Sequence, residues 1–204
     1  MPDRSLARLT DAGIPGIGKI PYGVHLCHFY HQRQDLVDSL VPYFQYGLRN
    51  GERCLWVTST PLKSDEARTE LAKAMPGFAD LEGAGRIRFL EAEAWYGKTA
   101  AGVVARWLEE EQKALSEGFQ GIRITGNTSF LEREHWPAFM DYEQEVNRSI
   151  GGRRIIALCS YALRQAKATD IFEVTRNHQH TVGRSGAQWE IVDRAYGPLS
   201  SSHP

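Results

Sequence analysis

The chain has 204 residues, with 24 Lys plus Arg against 25 Asp plus Glu, a formal net charge of -1 and 42% hydrophobic residues. That length buries about 70% of the unfolded surface with no disulfide or metal staple, and the balanced charge offers no field for direct nucleic-acid binding. Three Cys, no apolar run near the roughly 20 residues of a membrane helix and no apolar leader argue against a disulfide scaffold, a membrane span and a signal peptide, so a reducing, cytoplasmic setting is expected.

One domain is expected over 21–193, between a flexible N-terminal arm (1–20) and a flexible Gly/Pro/Ser-rich tail (194–204). Residues 24–30 (VHLCHFY) read as the first strand. A helix over 34–49 follows, with Leu36, Val37, Leu40, Val41, Phe44 and Leu48 on one stripe, Pro42 inside and Asn50-Gly51 as stop. A strand at 53–58, a helix at 62–74, a strand at 86–90 and a long helix at 99–117 come next. Residues 121–125 form the fourth strand, and Ser129 and Glu132 have capping-box spacing. A helix at 136–150, an apolar strand at 154–161 and a helix at 168–176 precede two short strands at 178–183 and 188–192. Alternating strands and helices imply a three-layer α/β domain with a mainly parallel sheet, helices on both faces and a C-terminal β-hairpin at one edge. Its natural ligand site is the crevice at the carboxyl ends of the strands.

Those ends carry no phosphate chemistry. The first strand runs into its helix through His31-Gln32-Arg33-Gln34-Asp35, with no Gly and no Lys. The fourth ends in Thr125-Gly126-Asn127, with no metal-holding Asp. Gly13 to Lys19 (GIPGIGK) matches half of a P-loop, but it precedes the first strand and Pro21 blocks a following helix. No nucleophile elbow is present. Cys159-Ser160 with His178 can be imagined as nucleophile and base, but spacing alone does not support the pair.

The densest chemistry is His25, Cys27, His28, Tyr30 and His31. Strand alternation puts His25, Cys27 and Phe29 on one face and Leu26, His28 and Tyr30 on the other. No metal is expected; if one binds, His25, Cys27 and His28 are the candidates. Trp56, Trp95-Tyr96, Arg123, Asn127 and Tyr161 complete the strand-end set. Trp95-Tyr96 either caps a pocket or pins a loop. Arg123, in an apolar strand, requires a partner such as Glu91 or a ligand anion.

The blocks HLCHFYHQRQDLVDSLVPYFQYGLRNGERCLWVTSTPL, WYG, ALSEGFQGIRITGNTSFLE, FMDYEQEVN, RIIALCSYAL and NHQHTVGRSGAQWEIVD, in this order over about residues 20–193, resemble the MEDS domain. This is the methanogen/methylotroph sensory domain, also found in a regulator of dichloromethane use. The resemblance implies a degenerate RecA/KaiC-like fold without nucleotide motifs. It also implies a non-catalytic sensor of small organic compounds, such as hydrocarbon or one-carbon derivatives, that works with a histidine kinase, an anti-sigma-type ATPase or a DNA-binding domain. The ligand-contacting residues expected on this basis are His28, Tyr30, His31, Trp56, Trp95, Tyr96, Arg123, Asn127 and Tyr161, with no catalytic residue and no cofactor. With no room for an output domain, the chain is expected to be either a stand-alone sensor acting through a regulatory protein partner or an excised domain, and a homodimer is compatible. The competing readings are a divergent nucleotide-binding or Cys/His-dependent enzyme, a metal-binding sensor and a purely structural interaction protein.

Overall fold

The computed structural model describes residues 8–97, 100–186 and 188–193. Its centre is a seven-stranded sheet. β3 (Val24–Tyr30), β4 (Arg53–Thr58), β5 (Ile87–Glu91), β6 (Ile122–Asn127), β7 (Ile155–Ala162), β8 (His180–Ser185) and β9 (Gln188–Asp193) lie in the order β5-β4-β6-β7-β3-β8-β9. Every neighbouring pair is parallel except β8 with β9. The expected hairpin is therefore at the edge, with β8 itself parallel to β3. β4 and β6 are buried at every residue, as central parallel strands covered on both faces must be.

The helices divide between the faces. On the first face, Leu36, Leu40, Phe44 and Leu48 of α1 (Arg33–Arg49), Leu71 of α2 (Ser64–Ala74) and Phe78 of α3 (Phe78–Gly83) pack on Leu26, Trp56, Ile156 and Leu158. On the second, Val103 and Trp107 of α5 (Val103–Ser116), Phe139 and Val146 of α6 (Trp136–Ser149) and Val174 of α7 (Ala168–Asn177) pack on Leu55, Ile124 and Ala157. A short helix, α4 (Ala92–Tyr96), joins this second layer through Ala92 and Tyr96. The chain leaves β3 through α1 on the first face and leaves the adjacent β7 through α7 on the second. This juxtaposition is the switch point at which open α/β sheets bind ligands.

α1 covers the helix expected over 34–49 and runs on through Pro42, because burial of Val41, Tyr43 and Phe44 outweighs one missing backbone donor. Several other elements depart from the sequence expectation. The helix expected from residue 99 starts at Val103, after Gly102 at φ 72°. Ser129 does not cap a helix: its hydroxyl meets Ser59 (2.9 Å) and the Thr60 carbonyl. A 3-10 turn, Arg133–His135, precedes α6 instead.

The largest departure is at the N-terminus. Where a flexible arm is expected, β1 (Leu9–Asp11) and β2 (Lys19–Pro21) pair antiparallel, and Ala12, Ile14, Ile17 and Ile20 are buried in the first-face core. The P-loop-like Gly13–Lys19 spans the connection of this hairpin and the first residue of β2. Gly13, at φ 75°, lies so close to α1 that a Cβ would come within 2.9 Å of the Pro42 carbonyl. Residues 1–7 and the tail from 194 lie outside the described residues.

Arg123 holds the hairpin in place. Its guanidinium is fully buried. Nε and Nη2 bond the Glu52 carboxylate, Nη1 donates to the carbonyls of Ala12 (2.7 Å) and Tyr43 (3.2 Å), and Nη2 also reaches that of Asp11 (3.0 Å). Glu52 accepts further bonds from Tyr22 (2.7 Å), Asn50 (2.8 Å) and Thr10 (3.1 Å). Arg123 thus sits near the amino end of β6, away from the crevice, and Glu52, not Glu91 or a ligand, is its partner. Breaking one side of a buried pair leaves an uncompensated charge. Glu52→Gln should therefore lower stability by about 3–5 kcal/mol in urea unfolding, whereas a loss below about 1 kcal/mol would show that the pair is not structurally critical.

Candidate functional site

At the switch point, β3 ends in Tyr30 and α1 begins at Arg33, with two residues between them. A phosphate-binding relative would put an anion at this helix N-terminus. Here the chain supplies the anion itself. Asp35 Oδ2 accepts the backbone N–H of His31 (2.9 Å) and Gln32 (3.1 Å), and Arg184 approaches Asp35 Oδ1 at 3.6 Å. A carboxylate already occupies the dipole end and repels a second anion.

Beside it lies a small polar network. The Tyr30 hydroxyl donates to Asn127 Oδ1 (3.3 Å), which also accepts the Ser129 N–H (3.0 Å). Ser129 reaches Ser59, at the end of β4. Burial raises the Tyr30 phenol above its ordinary range, partly offset by Asn127 and Ser129, so it stays a neutral donor. Tyr30, Ser59, Asn127 and Thr128 are all buried. The network draws on the carboxyl ends of β3, β4 and β6.

The remaining expected residues do not converge there. His28 is on the same face, fully buried, with Nδ1 3.5 Å from the Ser160 hydroxyl, its ring against Trp189 (5.1 Å) and Nε2 without a partner. His31 is exposed. Trp56 is core, stacked on Phe44 at 4.6 Å. Trp95, Tyr96 and Tyr161 belong to the opposite face. Trp95 packs on Trp107 (4.7 Å) under the Arg106 guanidinium, so it pins its segment to the core. Tyr96 stacks on Phe130 (5.7 Å), with its hydroxyl directly over Gly126, where a Cβ would collide with it. Of the nine, the six on strands thus divide between the faces by the period of two, Tyr161 on the α6 face and His28, Tyr30, Trp56, Arg123 and Asn127 on the α1 face.

The second face holds a cluster that the sequence reading did not assemble. His25 (β3), Glu143 (α6), Cys159 (β7) and His178 (just after α7) are fully or nearly fully buried, and one ligand-type atom from each lies within 4.8 Å of the others. His25 Nε2 is 3.1 Å and His178 Nε2 3.3 Å from Glu143 Oε2, and Cys159 Sγ is 3.5 Å from His25 Nε2. The imidazoles lie 3.9 Å apart between centroids. Tyr161 stands edge-on to His178 at 5.8 Å, with its hydroxyl facing Glu143. The metal candidates named from sequence are corrected accordingly. His28 points to the other face, and the Cys27 thiol donates to Thr181 (3.3 Å) instead of joining the four. Glu143 does carry a sequence signal, since it stands in the inward stripe Phe139, Met140, Glu143, Val146 at helical spacing.

Burial, with His178 nearby, pushes His25 down to about 4. Burial raises the Glu143 carboxyl, but the two imidazoles outweigh it and hold it below the usual carboxylate range. Burial raises the Cys159 thiol well above its ordinary value, as the adjacent Glu143 also does. An activated cysteine nucleophile needs the reverse shift, so the Cys159–His178 pairing lacks the electrostatics of a protease-like dyad.

A family profile, MEthanogen/methylotroph, DcmR Sensory domain (MEDS), matches residues 24–179, most of the chain and both groups of residues described above. The chain belongs to the MEDS family. A search of curated proteins returns no match. Among solved structures, the chain resembles the KaiC-like protein PH0186 of Pyrococcus horikoshii OT3, with 13% identity, 92% of this chain and 88% of that chain covered and a TM-score of 0.57. That likeness establishes a KaiC-like fold. The internally capped α1 terminus is where this MEDS chain differs from a nucleotide-binding design. Among the described residues no helix is long and apolar enough to cross a membrane.

Burial pushes His28 down to about 4, only partly offset by Asp35. Its unfolded imidazole takes up protons near pH 6.5 while the folded one does not, so stability is lost as the pH falls from about 6.5 towards 4. Wild type should therefore lose about 2 kcal/mol more than His28→Leu between about pH 7 and pH 5 in urea unfolding. Parallel losses in the two proteins would remove His28 as the source.

Proposed function

We propose that this MEDS chain is a non-catalytic sensory module that binds a small, uncharged organic ligand at the carboxyl ends of β3, β4 and β6 and reports it to a regulatory protein. The carrying observation is the substitution at the switch point. A carboxylate caps the helix where phosphate would lie, and a neutral Tyr30–Asn127–Ser129 network stands where a metal-holding acid would act. The fold keeps its customary ligand position and loses the means to hold a nucleotide.

Hydroxyl and amide groups on an aromatic background suit ligands with one or two polar atoms, the chemistry of simple hydrocarbon and one-carbon derivatives. A ligand that replaces the 3.3 Å Tyr30–Asn127 bond favours one arrangement of the segment after β6, which a partner then reads. A histidine kinase or an anti-sigma-type ATPase in the cytoplasm fits that partner role.

The test is thermal shift against a panel of small alcohols, aldehydes, amines and halogenated one-carbon compounds, with Mg·ATP included. One class should stabilise wild type, by about 2.7 kcal/mol at 100 times Kd. Tyr30→Phe and Asn127→Ala should stay folded and lose that response, and Mg·ATP should neither stabilise the chain nor be hydrolysed. Equal ligand responses in both variants, or ATP turnover by wild type, would overturn the proposal.

A further inference from the structure

We propose that His25, Glu143, Cys159 and His178 form a binding site for one divalent metal ion of the zinc class, on the sheet face opposite the Tyr30–Asn127 network. The inference is independent of the ligand-sensing proposal.

Geometry is the first support. Zinc bonds nitrogen and oxygen at about 2.0–2.2 Å and sulfur at about 2.3 Å, in tetrahedral sites. Two N or O ligands around such an ion lie about 3.3 Å apart, and N and S about 3.6 Å. Of the six edges among the four donors, the two N···O edges are 3.1 and 3.3 Å and the His25–Cys159 N···S edge is 3.5 Å, and all six lie within 4.8 Å. The four donors come from four separate elements, so the sheet and two helices have converged them independently of local sequence spacing.

Unspent hydrogen-bonding capacity is the second. His178 Nδ1 lies 2.7 Å from the Val174 carbonyl, which can only accept, so Nδ1 carries the proton. In the neutral ring, Nε2 then presents a lone pair towards the Glu143 carboxylate, an unfavourable contact without a positive charge between them. A histidine that donates one nitrogen to a backbone carbonyl and offers the other inward has the second-shell arrangement of a metal ligand. His178 Nε2, both Glu143 oxygens and the Tyr161 hydroxyl are buried with no hydrogen-bond partner meeting full geometry. Buried polar atoms are seldom left so, and here they lie around one point.

Charge is the third. Glu143 is wholly buried, and the ion-pair partners found for it among the described residues are His25 and His178. A divalent ion binding the Glu143 carboxylate and the Cys159 thiolate gives a neutral site, with the thiol proton released to solvent on binding. The donor set of two imidazoles, one thiolate and one carboxylate suits zinc and excludes the oxygen-only preference of magnesium or calcium. With four protein ligands the site is closed, as structural zinc sites are.

The site is buried, so the test loads it during folding. Purified chain is unfolded, refolded with Zn2+ or Co2+ and freed of excess metal by gel filtration, and metal content is measured against protein. Wild type should retain about one ion per chain. The cobalt form should show a thiolate-to-cobalt charge-transfer band and intense tetrahedral visible bands. Cys159→Ser, folded by circular dichroism, should lose the charge-transfer band, and Cys54→Ser, whose thiol lies on the other face, should keep it. Glu143→Gln should weaken Zn2+ binding more than about tenfold. If Cys159→Ser or Glu143→Gln fails to fold, wild-type stoichiometry and the cobalt spectrum decide the matter. Wild type retaining less than about a tenth of an ion per chain, no charge-transfer band, or a band that survives in folded Cys159→Ser would overturn the proposal and leave a metal-free His–Glu–His contact.

Discussion

A guanidinium is costly to bury unless its N–H donors are used, and the Arg123 side chain meets that condition with groups from three parts of the chain. The acceptors are Glu52 ahead of β4, a carbonyl of α1 and two carbonyls of the N-terminal hairpin. Gly47 shares this requirement, since a Cβ there would stand 2.9 Å from the Arg123 side chain. The cation therefore fixes how closely α1 lies over β6. The position of α1 in turn sets where its N-terminus meets the end of β3, which is the switch point. An interaction at the amino end of the sheet thus determines the geometry available at the carboxyl end.

The two-residue period of the strands then divides the chemistry. Along β3, β6 and β7, neighbours in sequence serve opposite layers. Leu26, Tyr30, Asn127 and Leu158 serve the α1 layer, while His25, Cys27, Cys159 and Tyr161 serve the α6 layer. One layer carries a carboxylate at the helix terminus beside β3, and the other gathers nitrogen, sulfur and oxygen donors next to Tyr161. In this KaiC-like fold the sheet acts as a partition between two unlike polar centres.

The alternating strand–helix order, the parallel sheet and the alternation along β3 were legible in the sequence because each rests on local periodicity. The missing phosphate loop was legible for the same reason, as an absence at a fixed place between a strand and its helix. What was hidden depends on long-range closure. The hairpin over residues 9–21 looks like a Gly-rich arm until Arg123 supplies donors to its carbonyls. His25, Glu143, Cys159 and His178 have no motif spacing, and they meet only through the β3–β7 register and the packing of α6 and α7. Trp56, Trp95 and Tyr96 stand as aromatics at or just past strand ends, yet ring-on-ring packing in the core accounts for them.

The placement of β3 also bears on how the molecule is made. β3 spans residues 24–30, and its two neighbours, β7 and β8, span 155–162 and 180–185. β3 is thus synthesised before both of its partners, which follow only after most of the domain has been made. Until then both of its backbone edges are open to pairing with other chains. The α1–β4–β5 region can begin to collapse early, but the sheet closes only when β8 arrives. Assembly of this protein is governed by late, long-range pairing, the regime in which folding is slow and exposure to aggregation is greatest.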